Sequence, residues 1–152
     1  MPIRRSTELV EYAKAAHKAF EERDNDWFEK HTASGDVIAF GTDPEEIFRG
    51  RAAVLGLTAD EVAEINERAG IKVEFDEPEA YEAGDAGWIL THGRFVLSDG
   101  ASIPVRSLTF VVREDGVWKA GVSGISVVVR NELLTPGSPL ATLAVGSGAG
   151  AG

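Results

Sequence analysis

Two Asp-Gly pairs constrain this chain more than any other feature. They lie in "SDGA" and "EDGV", between three long β-rich runs at residues 86–98, 101–114 and 117–130. Asp-Gly between such runs is the strongest short signal for a tight hairpin, because both residues tolerate the positive φ that the turn requires. The second half therefore reads as an antiparallel meander. With two-residue loops, Ser98 pairs with Ala101 and Glu114 with Val117, which puts His92 opposite Ser107 and Thr109 opposite Leu90 and Val122. One face then carries Trp88, Leu90, His92, Arg94, Val105, Thr109, Val111, Trp118, Val122 and Ser126. The other carries Ile89, Thr91, Phe95, Arg106, Leu108, Phe110, Ile125 and Val127. Both faces are largely apolar, whereas a sheet with one wet side alternates more cleanly. Helices are expected on one face and a second copy of the chain on the other, giving a homodimer.

The first half supplies the helices. Ser6 or Thr7 caps a stripe of Leu9, Ala13, Ala16 and Phe20 at helical spacing. Asp24 or Asn25 caps a second, short helix that carries Trp27 and Phe28, and "DVIAF" (residues 36–40) reads as a strand. A helical stretch starts at Gly50. "TADE" restarts it with Thr58 as N-cap and Glu61 three residues on, and Gly70 stops it, so a split or kinked helix is expected. Ile71, Val73 and Phe75 alternate with charged residues in a further strand, which continues past Pro78 with a bulge or an edge at the proline. The segment "GTDPEEIFRG" (residues 41–50) carries three carboxylates. Its Asp-Pro-Glu-Glu order matches the start of a short helical turn, so it reads as structural rather than as an acid/base or metal site.

Charge and composition narrow the function. The chain has 25 Asp and Glu against 15 Lys and Arg, a net charge of −10, which repels phosphate backbones and argues against nucleic acid and anionic membranes as partners. Cysteine is absent, so disulfides, thiolate metal sites and a Cys nucleophile are excluded. The N-terminus lacks an apolar core of signal length, and no apolar run approaches the roughly 20 residues that span a bilayer. These features fit a cytoplasmic protein. No His or Asp cluster has metal spacing, and no phosphate loop or dinucleotide fingerprint occurs, so neither a metal nor a cofactor is expected. Residues 1–134 carry every charge and form one domain. Residues 135–152 carry none and read as a Gly/Ala/Ser-rich tail, within which Leu140 to Val145 is a candidate strand.

"GTDPEEIFRGRAAV" after a strand, "DGVWKAGVSGIS" near the end, and the order helix, helix, strand, helix, meander resemble the SnoaL-like branch of the nuclear-transport-factor-2-like superfamily over roughly residues 6–131. The resemblance implies an α+β cone, in which a strongly curved, mainly antiparallel sheet wraps helices in its concave face and leaves an internal pocket. Relatives include polyketide cyclases, ketosteroid isomerases, dehydratases, epoxide hydrolases and a non-catalytic kinase assembly domain, so fold does not determine function. Family members often end with Trp, a few residues, then His-x-Ser. Trp118 and Ser126 match this pattern, but the His position is Gly124.

A ligand in such a pocket is expected to meet Tyr12, Trp27, Trp88, His92, Thr109, Trp118 and Ser126. His92 is the candidate general acid/base, since imidazole titrates near neutrality; a His paired with Ser107 or a neighbouring carboxylate is the bland alternative. Asp36 is a candidate acid near the start of the first strand, or else a loop residue or helix-end cap. By the resemblance Tyr12 could donate a hydrogen bond into the pocket as in related isomerases, or simply pack its ring. Arg106 falls on the opposite face as a dimer-face or edge residue, or becomes the pocket cation if a bulge inverts the register, and His17 and His31 read as surface or packing residues. Three functions follow: a binder of a small organic molecule, a cofactor-free isomerase, cyclase or hydrolase, or an oligomeric assembly module.

Overall fold

The computed structural model describes residues 1–138, so the expected strand at Leu140 to Val145 lies outside the described residues. A short strand β1 (Arg4–Arg5) leads into α1 (Thr7–Glu21) and α2 (Asn25–His31). The hairpin β2 (Ile38–Phe40) and β3 (Ile47–Arg49) precedes α3 (Arg51–Gly56) and α4 (Ala59–Ala69). Strands β4 (Ile71–Phe75), β5 (Glu79–Ala83), β6 (Ala86–Leu97), β7 (Ser102–Glu114) and β8 (Val117–Val127) follow, then a 3-10 turn over Asn131–Leu134. The eight strands among the described residues join one sheet in the order β1-β5-β6-β7-β8-β2-β3, with β4 also paired to β6. Among the described strands the β2–β8 pairing is parallel, as is the isolated bridge between Thr32 and Ala120, and the other strand pairings are antiparallel. The fold is the expected α+β architecture, with helices on one side of a mostly antiparallel sheet.

The caps form where the sequence placed them. Ser6 Oγ accepts the Leu9 N–H at 3.2 Å, and an Asp24 carboxylate oxygen accepts the Trp27 N–H at 3.1 Å. Thr58 and Glu61 make a full capping box, and Gly70 ends α4 in the left-handed conformation at φ 67°. The expected split helix is α3 and α4. The single strand expected to continue past Pro78 is two strands, β4 and β5, which pair with successive stretches of β6 and are separated by residues 76–78.

"GTDPEEIFRG" is structural, but it is a hairpin loop rather than a helical turn. An Asp43 carboxylate oxygen accepts the Glu45 N–H at 2.9 Å, and Glu46 Oε1 accepts the Asp43 N–H at 2.9 Å. The Gly41 N–H donates to the Glu46 carbonyl at 2.9 Å, which closes the loop. The capping chemistry is as read, yet Ile47–Arg49 continues as a strand because it pairs with β2.

The two Asp-Gly turns differ, and the register follows from that difference. In "EDGV", Asp115 and Gly116 both have positive φ, 51° and 76°, and Glu114 pairs with Val117 as expected. In "SDGA" the loop holds three residues. The Leu97 N–H donates to the Ala101 carbonyl at 2.8 Å, Gly100 takes φ 86°, and Val96 pairs with Ser102. His92 therefore lies opposite Arg106, not Ser107, and Ile89 rather than Leu90 lies opposite Thr109. A bulge at Gly121 adds a second slip: Val111 pairs with Ala120, but Phe110 pairs with Val122. Each one-residue slip moves a strand's side chains to the other face.

The corrected inner face, toward the helices, carries Gly87, Ile89, Thr91, Val105, Thr109, Val111 and Trp118. Leu9 and Val111 are fully buried, and they pack with Ala13, Ala80, Ile89 and Trp118 as the core. Gly87 permits this contact, since a Cβ there would stand 2.4 Å from Leu9 Cδ1 and 2.9 Å from the Tyr81 carbonyl oxygen. The outer face carries Trp88, Leu90, His92, Arg94, Arg106, Leu108, Phe110, Val122 and Ser126.

Candidate functional site

The helices enclose one end of the inner face and leave its middle open. Helix α1 lies on β5 and β6, α2 against β8, α3 on β2 and β3, and α4 on β4. The closed end is the core around Leu9, Val111 and Trp118. Towards the middle, Ser107, Thr109, Ser123 and Ile125 share the inner face with Val111 but stay half-exposed. Thr109 Oγ1 and Ser123 Oγ approach to 3.4 Å, a neutral pair able to donate and accept. This half-open surface, three hydroxyls beside Ile125, is the candidate binding site.

An aromatic group borders the closed end. The Tyr12 ring lies 5.3 Å from Trp27, and its hydroxyl donates to the His31 carbonyl at 2.9 Å. Burial pushes the Tyr12 phenol well up, opposed only in part by a hydrogen bond from the Ala120 backbone. Its proton is thus committed to a carbonyl that ties α1 to the end of α2. The His31 ring stacks on Trp27 at 4.1 Å, and its Nδ1 lies 2.7 Å from the Trp27 carbonyl oxygen. A carbonyl only accepts, so Nδ1 carries the proton and Nε2 keeps the lone pair in the neutral ring. Trp118 is 5% exposed, and its indole N–H meets no acceptor among the described residues. The Arg113 guanidinium lies over that ring at 4.3 Å and pairs with Glu8 at 3.0 Å.

The expected site residues divide. Tyr12, Trp27, Thr109 and Trp118 lie on the helix side of the sheet. Trp88, His92 and Ser126 do not: the three-residue "SDG" loop turns Trp88 and His92 outward, and the Gly121 bulge turns Ser126 outward. The His92 side chain is exposed on the outer face, where Arg106 is its cross-strand neighbour, so its expected place in the pocket is corrected. Trp88 stacks on Tyr81 at 6.3 Å. Asp36 is an exposed loop residue between Gly35 and Val37. At Gly124, the expected His position, a Cβ would stand 1.9 Å from the Phe40 ring, so Phe40 fills the space a side chain would need. His17 packs flat on Phe75 at 4.5 Å, and desolvation lowers its pKa against the opposing Glu21 charge. Sequence reasoning missed Ser123, which the bulge brings inward, and the fixed tautomer of His31, which its i, i+4 spacing from Trp27 could have suggested.

A family model described as the SnoaL-like domain matches residues 10–130. The chain belongs to the SnoaL-like domain family. Solved structures agree at the level of fold. An NTF2-like protein of unknown function from Pseudomonas putida superposes with a TM-score of 0.62 at 19% identity, over 85% of this chain and 93% of the other. A protein with a cystatin-like fold from Caulobacter vibrioides gives 0.60 at 17% identity, over 78% and 86%. A candidate ketosteroid isomerase from Shewanella frigidimarina gives 0.59 at 14% identity, over 75% and 90%. A comparison with curated proteins finds no significant match. Among the described residues of this SnoaL-like chain, no three His, Asp or Glu side chains are grouped to hold a metal ion, and no helix is long and apolar enough to cross a membrane.

Proposed function

We propose that this SnoaL-like protein binds a small, mainly apolar organic molecule in the open middle of the cone, as a homodimer packed through its outer sheet faces. The reading rests on the half-exposed pair Thr109 and Ser123, which face the helices beside Ile125 and Ser107 without being covered. A few fixed polar groups on an apolar wall are the usual composition of a small-molecule site. Ligand-observed NMR with a mixed panel of small aromatic and alicyclic compounds tests it. Thr109→Phe should fill the opening and abolish binding while the melting temperature holds; unchanged binding refutes the placement.

The dimer half of the reading rests on the outer face. Phe40, Ile47, Leu108, Phe110 and Val122 are each between 38% and 51% exposed and lie on neighbouring rows of that one face. An exposed apolar cluster of this kind marks an interaction surface. Light scattering at micromolar concentration should report a dimer, and Phe110→Glu should dissociate it, because the change buries an unpaired charge. A wild-type monomer ends this half of the proposal.

A second reading, cofactor-free acid/base chemistry, is favoured by one observation. The His31 tautomer is fixed by the Trp27 carbonyl, which leaves Nε2 as a candidate base. Likeness to a candidate ketosteroid isomerase supports it at the level of fold only. Deuterium uptake next to the carbonyl of small cyclic ketones, reduced about 10²-fold by His31→Asn, would support this reading. No uptake by the wild type removes it.

A further inference from the structure

The outer face is not uniformly apolar, and its polar end is built differently from the rest. Three cross-strand rows run over β6, β7 and β8: Trp88–Phe110–Val122, Leu90–Leu108–Gly124 and His92–Arg106–Ser126. The first two are apolar. The third offers an imidazole, a guanidinium and a hydroxyl, with neighbours about 5 Å apart by the geometry of cross-strand pairs. An open depression of about 390 Å³ lies at this end, with His92, Arg94, Arg106 and Ser102 at its polar side and Pro104 and Val128 at its apolar side.

The local charge balance leaves one cation over. Asp76 also lines the depression, and it is held by Arg94 at 3.3 Å. Arg94 and Lys72 together meet Glu74 and Asp76, two cations for two carboxylates. Neither the Arg106 nor the His92 side chain makes a hydrogen bond or ion pair with a described residue. Of the two arginines that line the depression, Arg94 is paired and Arg106 is the one left for a ligand. An unpaired guanidinium presents a planar fork of donors that matches a carboxylate or phosphate group.

We propose that the depression between Arg106, His92 and Pro104 binds a small organic anion, its charged group on the Arg106 guanidinium and the His92 and Ser102 donors, its apolar body against Pro104 and Val128. The ligand class is a carboxylate or phosphate on a short hydrocarbon body, a size that fits the 390 Å³ available. The site lies on the opposite side of the sheet from Thr109 and Ser123, so it is separate from the cone. It borders the apolar rows rather than covering them, so it is also distinct from the proposed dimer contact.

NMR titration of the full chain with hexanoate, and with hexanol as the neutral control, tests the assignment. Hexanoate should shift the backbone amides of His92, Ser102 and Arg106, and hexanol should not. Arg106→Gln should weaken hexanoate binding by about tenfold or more, the scale of losing a charge-assisted pair, and Arg106→Lys should lose less. Thr109→Phe, which closes the cone, should leave hexanoate binding intact, so the two sites fail or stand separately. Equal shifts with hexanol, or unchanged affinity in Arg106→Gln, would overturn the proposal. So would light scattering in which Arg106→Gln alone turns a dimer into a monomer, since the partner of Arg106 would then be a second copy.

Discussion

The two faces of the sheet have similar hydropathy and different fates. The inner face sets Ile89, Val111 and Trp118 against Leu9 and Ala13 of α1, and the burial there is complete. The outer face sets Leu108, Phe110 and Val122 against no described element. An apolar side chain contributes to folding in proportion to the area it removes from water. Residues of one chemical type therefore carry fold stability on one face and remain available for association on the other.

The largest expected effect is the difference between Leu9 and Leu108. Leu9→Ala should cost about 2–5 kcal/mol in urea unfolding, as for other fully buried leucines, because it empties the contact with Ile89, Val111 and Trp118. Leu108→Ala, at 51% exposure, should change the stability of the monomer by about 0.5 kcal/mol or less. Comparable losses from the two would mean that the outer face is also packed in the folded monomer, and the contrast would fail.

A pair of glycines, one on each face, sharpens the comparison. Gly87→Ala forces a methyl to 2.4 Å from Leu9 Cδ1 and 2.9 Å from a backbone oxygen, and should cost about 1–3 kcal/mol. Gly124→Ala meets the Phe40 ring still closer, at 1.9 Å. Phe40 is 41% exposed, however, and can swing out toward solvent, so the cost should be the smaller of the two despite the shorter contact. The reverse order in thermal melts would show that Phe40 is held in place.

The smallest effect concerns a carboxylate on the covered side. Glu82 lies opposite Gly87 and is 6% exposed. The Ser6 hydroxyl donates to it at 2.7 Å and Arg4 pairs with its other oxygen; these two hydrogen bonds, Ser6 first, lower its pKa. A lowered folded-state pKa contributes stability that is present above the unfolded value of about 4.3 and is lost as pH falls through the folded value. Glu82→Gln should therefore make the acid side of the stability profile shallower and leave its shape above pH ~6 unchanged. A variant whose acid limb keeps the wild-type slope would show that this carboxylate titrates alike in both states.

Much of this was legible from residues alone. The caps at Ser6, Asp24 and Thr58, the stop at Gly70 and the three-strand meander rest on interactions between near neighbours, and each occurs as read. The candidate site was legible only in part. Thr109 and Trp118 follow from the "EDG" turn, whose two-residue loop holds its register as far as Ala120. His92 and Trp88 depended on the number of residues in the "SDG" loop. Asp-Gly suits both a two-residue turn and a three-residue turn with Gly in the left-handed position, so the motif alone does not choose. Ser126 depended on a bulge at Gly121, and no local signal separates a bulged glycine from an ordinary one in a strand.

The sequence by itself determined the four helices and their caps, the β6–β8 meander and the presence of two apolar sheet faces, because each depends on propensities and hydrogen bonds within a few residues; the β2–β3 hairpin, whose loop reads locally as a helical turn, was decided by strand pairing. The tertiary structure decided which residues stand on which face, and hence that His92 and Ser126 look outward while Ser123 looks in. Side chains alternate with a period of two along a strand, so one residue more in a loop, or one in a bulge, inverts everything beyond it. With both faces apolar, hydropathy does not favour either register. The choice falls to contacts made far along the chain, chief among them Leu9 seated over Gly87 against Ile89 and Val111.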